Sequence, residues 1–142
     1  MKQMKITLLS VFAGGLLIAA CGQNNMPPRA VKDAFTKKFN AVQKFKWELE
    51  DNEWEAEFNS DGKEMSASFD STGNWLETET EIKREDVPAE VFKSVHLKYD
   101  GWKIKEIEKV EKPGFNGYEF ELKNKETKTE IVVSDSGELI SK

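Results

Sequence analysis

Five glutamates set in alternation, Glu53, Glu55 and Glu57 in one segment and Glu119 and Glu121 in another, are the residues of this chain whose types and spacing could do chemistry. Residues two apart share one side of an extended strand, so each set lines one sheet face, and facing carboxylates are the groups that protonate and attack a glycosidic bond. The same alternation has a plainer origin. Trp54, Ala56 and Phe58, and later Tyr118, Phe120 and Leu122, fill the intervening positions, which is the pattern of a sheet with one face on a core and the other in water. Lys63 and Lys128 are within cross-strand reach as partners. The glutamate row is therefore expected to be a solvated, non-catalytic face. No further layer is encoded to cover it, which leaves an open surface for binding another protein.

Other reaction chemistries lack their residues. A serine or cysteine nucleophile needs a base held by an orienting group, and the one imidazole, His96, falls inside a helical pattern where an exposed surface position is expected. Zinc would need several Cys and His ligands. Asp61, Asp70 and Asp135 sit in glycine-containing turns too short for a calcium loop. No glycine-rich loop followed by Lys and Ser/Thr is present to cradle phosphate. The chain is thus expected to be no enzyme and to hold no metal or cofactor. Among the aromatics, Trp47 and Trp54 have the parity of core residues, whereas Trp75 and Trp102, near turns or strand starts, are candidate exposed anchors. Phe115, in the hairpin Pro113-Gly114-Phe115-Asn116-Gly117, is the strongest single candidate for a contact with a partner.

The remaining reactive group is the single cysteine. Cys21 follows Leu16-Leu17-Ile18-Ala19-Ala20, an apolar run preceded by Lys2 and Lys5 and shorter than a membrane span. The segment resembles a bacterial lipobox, which implies cleavage before Cys21, diacylglycerol on its sulfur and acylation of the freed amine. Residues 1–20 are then a signal peptide and 21–27 a polar tether. Its lack of an acidic run leans toward the periplasmic side of a Gram-negative envelope. The whole chain carries 21 basic and 26 acidic residues. Loss of Lys2 and Lys5 leaves 19 against 26, a charge of −7, with no clustered Lys and Arg to replace phosphate counterions. Nucleic acid is excluded as a partner and an acidic surface is disfavoured. With no second cysteine the fold relies on its core alone.

The elements that position these residues are written twice. Pro28-Arg29-Ala30-Val31 matches Pro88-Ala89-Glu90-Val91, Lys38-Phe39-Asn40 matches Lys98-Tyr99-Asp100, and Gly73-Asn74-Trp75-Leu76 matches Gly137-Glu138-Leu139-Ile140. Each unit opens with a helix, because Val31, Phe35 and Phe39, and again Val91, Val95 and Tyr99, recur every four positions behind a proline. Each continues in period two, with strands near 42–49, 53–58, 64–69, 103–110 and 118–122 and one ending in Ile131-Val132-Val133. Turns at Asn59-Ser60-Asp61-Gly62, Asp70-Ser71-Thr72-Gly73 and Ser134-Asp135-Ser136-Gly137 separate them. The expected fold is α+β: a tandem repeat, 28–82 and 83–142, of a helix plus a three- to four-stranded antiparallel meander, forming a joint sheet backed by two helices.

The sequence of motifs Pro-x-x-Val-x-x-x-Phe-x-x-x-Phe, Lys46-Trp47-Glu48, Trp54-Glu55-Ala56-Glu57-Phe58, Gly62-Lys63-Glu64 and Phe69-Asp70-x-x-Gly73-Asn74-Trp75-Leu76 resembles the PepSY-like periplasmic proteins, over nearly all of the chain after Cys21. The second unit departs from it at Leu139, at the insertion Val110-Glu111-Lys112-Pro113 and at Thr127-Lys128-Thr129. The resemblance implies a fold like that of the β-lactamase inhibitor protein. It also implies a non-enzymatic envelope lipoprotein that binds an unidentified envelope protein, inhibiting a periplasmic enzyme such as a peptidase. The alternative is a structural or envelope-stress lipoprotein with no enzyme target.

Overall fold

The computed structural model describes residues 26–140. The proposed signal peptide, Cys21 and most of the tether lie outside the described residues. Helix α1 (Arg29–Lys38) is followed by strands β1 (Phe45–Glu50), β2 (Glu53–Ser60), β3 (Lys63–Phe69) and β4 (Trp75–Glu81). A 3-10 turn at Arg84–Asp86 leads to helix α2 (Ala89–Lys98), then β5 (Lys103–Lys112), β6 (Phe115–Asn124), β7 (Thr127–Ser134) and the short β8 (Leu139–Ile140). The eight strands form one antiparallel sheet in chain order, so every strand pairs with its sequence neighbours. The α+β architecture with one sheet and two helices is that expected from the periodicities, and each helix is followed by four strands.

Both helices start directly after a proline, Pro28 and Pro88, whose fixed φ suits the entry and whose missing N–H costs the helix nothing there. Each buries its four-residue stripe. Val31 and Phe35 sit over β1–β4 with Trp54, Ala56, Phe58, Ala67 and Phe69. Val91 and Val95 sit over the second half with Ile107, Tyr118, Phe120, Leu122, Ile131 and Val133. There are thus two apolar clusters under one continuous sheet. The halves meet in the β4–β5 ladder, where Thr78 to Glu81 face Glu111 to Glu108.

Turn chemistry fixes the register. Asp51-Asn52 and Asp61-Gly62 both have positive φ at both central positions, the two-residue hairpin geometry that matches strand twist. The first of these was not among the turns expected from the sequence, because neither residue is glycine. Gly73 has φ +88, and a Cβ there would stand 2.6 Å from the Ala30 carbonyl oxygen, so this turn closes against the first turn of α1. Gly137 approaches the Glu90 carbonyl of α2 in the same manner, and the Ser94 hydroxyl donates to the Gly137 carbonyl. Asp70 organises the β3–β4 turn: its Oδ1 accepts from the Thr72 and Asn74 backbone N–H groups at 2.9 and 3.0 Å, and its Oδ2 from the Asn74 amide at 2.8 Å. The Thr72 hydroxyl donates to Oδ1 as well, at 2.7 Å, and these donors, led by that hydroxyl, lower the Asp70 pKa to about 2.

Candidate functional site

The sheet face turned away from the helices is built by the alternate residues that the cores do not use. Register places them in rows across the strands. One row runs Lys46, Glu57, Ser66, Glu79, Val110, Gly117, Ser134. Its neighbour carries Asn59, Glu64, then Glu81, Glu108, Glu119 and Val132. Glu106 pairs with Glu121, and Glu121 with Glu130. The two glutamate sets singled out from the sequence therefore share one face.

That face is not simply solvated. Glu55, Glu77, Glu79 and Glu119 are buried, with Glu79 only 4 % exposed, although α1 and α2 both pack on the other face. Across the strands Glu55 stands between Glu48 and Ser68, Glu79 between Ser66 and Val110, and Glu119 between Glu108 and Val132, so carboxylates on an open sheet lose water to their neighbours. Burial, followed by repulsion from Glu108 and Glu77, holds the Glu79 carboxyl far above the usual carboxylate range. Burial, then Glu106 and Glu119, pushes Glu108 up to about 8. Burial likewise raises Glu55 and Glu106. One Glu55 carboxylate oxygen has no hydrogen-bond partner among the described residues, and the Ser66 hydroxyl donates weakly to Glu79 at 3.3 Å.

Among the described residues two lysines form ion pairs with carboxylates of this face. Lys112 Nζ reaches Glu77 at 2.8 Å and Lys128 reaches Glu121 at 2.9 Å, the latter being a pairing expected from the sequence. Lys63 makes no such ion pair among the described residues. A groove of about 440 Å³ opens beside the central carboxylates, lined among others by Lys46, Glu57, Glu64, Glu81, Glu106 and Glu108. Glu64, Glu77, Glu79, Glu81, Glu106 and Glu108 were not singled out in the sequence. The alternation Glu77-Thr78-Glu79-Thr80-Glu81 was the available signal.

The aromatic candidates divide between the two faces. Phe115 has the parity of Gly117, Glu119 and Glu121 and so stands on the carboxylate face, but it is half-buried and the turn is Pro113-Gly114. Its ring folds back over Gly117, where a Cβ would lie 2.7 Å from the ring. Trp75 and Trp102 are on the helix side, partly packed against the first and second cores. Trp75 donates its indole N–H to Thr78 Oγ1 at 2.9 Å and carries the Lys38 ammonium 3.7 Å above its ring. Trp54 is buried and Trp47 packs edge-on against Phe35. His96 is exposed on α2 beside Phe92, on the side of the sheet away from the glutamates. Among the described residues no group of His, Cys, Asp and Glu is arranged to hold a metal ion.

Solved structures share this architecture. A BLIP-like protein of Bacteroides fragilis is 26% identical, with a TM-score of 0.71 over 82% of this chain and 84% of that one. A DUF2874 family protein of Bacteroides uniformis is 22% identical, with a TM-score of 0.76 over 82% and 88%. A protein of Bacteroides eggerthii assigned to the periplasm is 18% identical, with a TM-score of 0.75 over 82% and 87%. The last two likenesses concern the fold alone. No curated protein matches the chain. A family profile described as beta-lactamase-inhibitor-like and PepSY-like matches residues 52–141, from the second strand to the end of the sheet. With most of its length inside that match, the chain belongs to the PepSY-like, beta-lactamase-inhibitor-like family.

Proposed function

We propose that this chain is a membrane-tethered, non-enzymatic binding module of the periplasm, which holds a partner protein on the helix-free face of its sheet. A periplasmic enzyme such as a peptidase, inhibited by the contact, is the kind of partner that the family and the BLIP-like relative suggest. The observation that carries the reading is the crowded carboxylate face around Glu79 and Glu108, where the ion pairs among the described residues reach Glu77 and Glu121 and not Glu79 or Glu108. Lys or Arg side chains of a partner would supply the missing counter-charges, and desolvated charge pairs of this kind fix orientation and partner choice. Glycoside hydrolysis uses a single acid and a single base flanking one bond, whereas these carboxylates are spread over several strands, with Glu81, Glu108 and Glu119 in one row and Glu106, Glu121 and Glu130 in another.

The test is capture from envelope extracts. Wild-type protein is expected to enrich one partner at a fixed ratio, and the double substitution Glu64→Lys with Glu81→Lys to weaken that capture at least about tenfold. Both residues are exposed, so folding should change by no more than about 0.5 kcal/mol each. Glu55, being buried, is unsuited to this purpose. Phe115→Ala should act through the dissociation rate. Because a cationic partner favours the ionised form of Glu108, capture should strengthen as pH rises from 6 to 9. Enrichment of no defined partner would favour the structural or envelope-stress reading, and capture indifferent to both variants would remove this face from the interface.

The tether has its own test. Cys21→Ser leaves a hydroxyl that cannot form the thioether to diacylglycerol, and several acyl chains at about 0.8 kcal/mol per buried methylene are then lost. The variant is expected in the soluble envelope fraction. A variant still lipid-labelled and pelleting with membranes would exclude a lipid anchor at this residue.

A further inference from the structure

Strand β1 is an edge of the sheet and pairs with β2 alone. Unlike β2 and β3, it leaves the two ends of its helix-side row open: Phe45 is 43% exposed and Leu49 42%, although the Phe45 and Phe35 ring centroids are 4.8 Å apart. Edge strands with open apolar rows invite pairing, and natural sheets ordinarily block it with charges of one kind. The charges here do the opposite. In Lys44-Phe45-Lys46-Trp47-Glu48-Leu49-Glu50, basic residues precede Trp47 and acidic residues follow it at matching distances.

We propose that β1 is a self-complementary dimerisation edge, on which two copies of this chain pair antiparallel about a two-fold axis through Trp47. In that register Lys44 faces the second copy's Glu50, Lys46 its Glu48, Phe45 its Leu49, and Trp47 its own equivalent. Opposite residues share a face in an antiparallel pair, so the two lysine–glutamate contacts fall on the carboxylate side and the apolar ones on the helix side. Symmetry makes every contact except Trp47 against Trp47 occur twice. The neighbouring registers that preserve the faces are excluded by charge, since a shift of two residues in one direction sets Lys46 against Lys46 and in the other sets Glu48 against Glu48. Because the axis is perpendicular to the sheet, both carboxylate faces end on the same side. The dimer has a continuous sixteen-stranded sheet with four helices on the other side. Behind the second copy's Glu48, one strand further on, stands its Glu55.

The experiment is sedimentation equilibrium on the whole chain carrying Cys21→Ser, alone and with charge swaps on β1. The parent is expected to dimerise reversibly. Lys46→Glu and Glu48→Lys each turn both symmetric ion pairs into like-charge pairs, and each is expected to weaken self-association at least about tenfold. An equimolar mixture of the two single variants restores every contact and is expected to form a heterodimer at the parent's strength, as is the double variant with itself. Circular dichroism reports folding. Leu49→Lys, at an exposed position, serves as the disrupting variant if a charge swap does not fold. A parent that stays monomeric at millimolar concentration overturns the proposal. So does a dimer unaffected by the single swaps, and so does a mixture that fails to recover pairing.

Discussion

Replacing Phe35 by alanine is expected to cost about 3–5 kcal/mol of folding stability, the range for a fully buried aromatic. The reason lies in what surrounds the ring. Phe35 is 2 % exposed and its centroid lies 5.3 Å from Phe39, 4.8 Å from Phe45, 5.3 Å from Trp47, 5.4 Å from Phe58 and 6.3 Å from Phe69. Five rings, one just past the end of α1 and four from three strands, close on this one, so its removal leaves a cavity that rigid aromatics cannot refill. Urea unfolding measures the loss through the midpoint at unchanged slope. Leu97→Ala, on the open side of α2 and 79% exposed, should change stability by less than about 0.5 kcal/mol. A loss below about 1 kcal/mol at Phe35, within the ordinary range for single substitutions, would show that α1 does not close the first core as described.

The second large effect is an inverted pH dependence, with stability increasing as the solution is made mildly acidic. The folded protein holds protons on Glu79 and Glu108, whose carboxyls burial and mutual repulsion push up from 4.5. Between pH 4.5 and about 8, the folded value of Glu108, the unfolded chain binds fewer protons than the folded one. The slope of unfolding free energy with pH is then negative, about 1.4 kcal/mol per pH unit for each proton of difference. Asp70 acts in the other direction, since its contribution is present above its unfolded value of 3.8 and is lost as pH falls through about 2. The optimum is therefore expected between pH 4 and 5. Glu79→Gln keeps the shape without the charge, and should raise the melting temperature at pH 8 while leaving it nearly unchanged at pH 5. Melting temperatures that are flat or rise from pH 5 to 8 would show that the carboxylates are well hydrated.

The sequence carried the cores more openly than it carried the face. Trp54, Ala56 and Phe58, like Tyr118, Phe120 and Leu122, announce strands because one side is apolar and the other is not, and the four-residue recurrence of Val31, Phe35 and Phe39 announces a helix. Strand β4 was harder to delimit because Thr78 occupies the helix side, so Trp75–Glu81 shows little apolar contrast. The burial of Glu55, Glu79 and Glu119 could not be read at all. A glutamate in alternation looks the same whether it points into water or is enclosed by its neighbours, and only the registers across β1 to β7 show that Glu55 stands between Glu48 and Ser68, Glu79 between Ser66 and Val110, and Glu119 between Glu108 and Val132. Phe115 failed to show its position for a similar reason, because the shelf on which its ring rests is the missing side chain of Gly117.

Chain-order pairing of all eight strands also governs how the molecule assembles. Six of the seven ladders join strands separated by short connections, and several of these are two-residue turns, so little loop entropy is spent in closing them. A sheet of this size built mostly from such local pairings has a low mean sequence separation of contacts and is placed toward the fast end of β-rich folding. Each helix can settle on its own four strands first. The exception is the β4–β5 ladder, whose strands are held apart by the segment that contains α2. Joining Thr78–Glu81 to Glu108–Glu111 is expected to be the slowest closure, since it is the pairing that spans the longest stretch of chain.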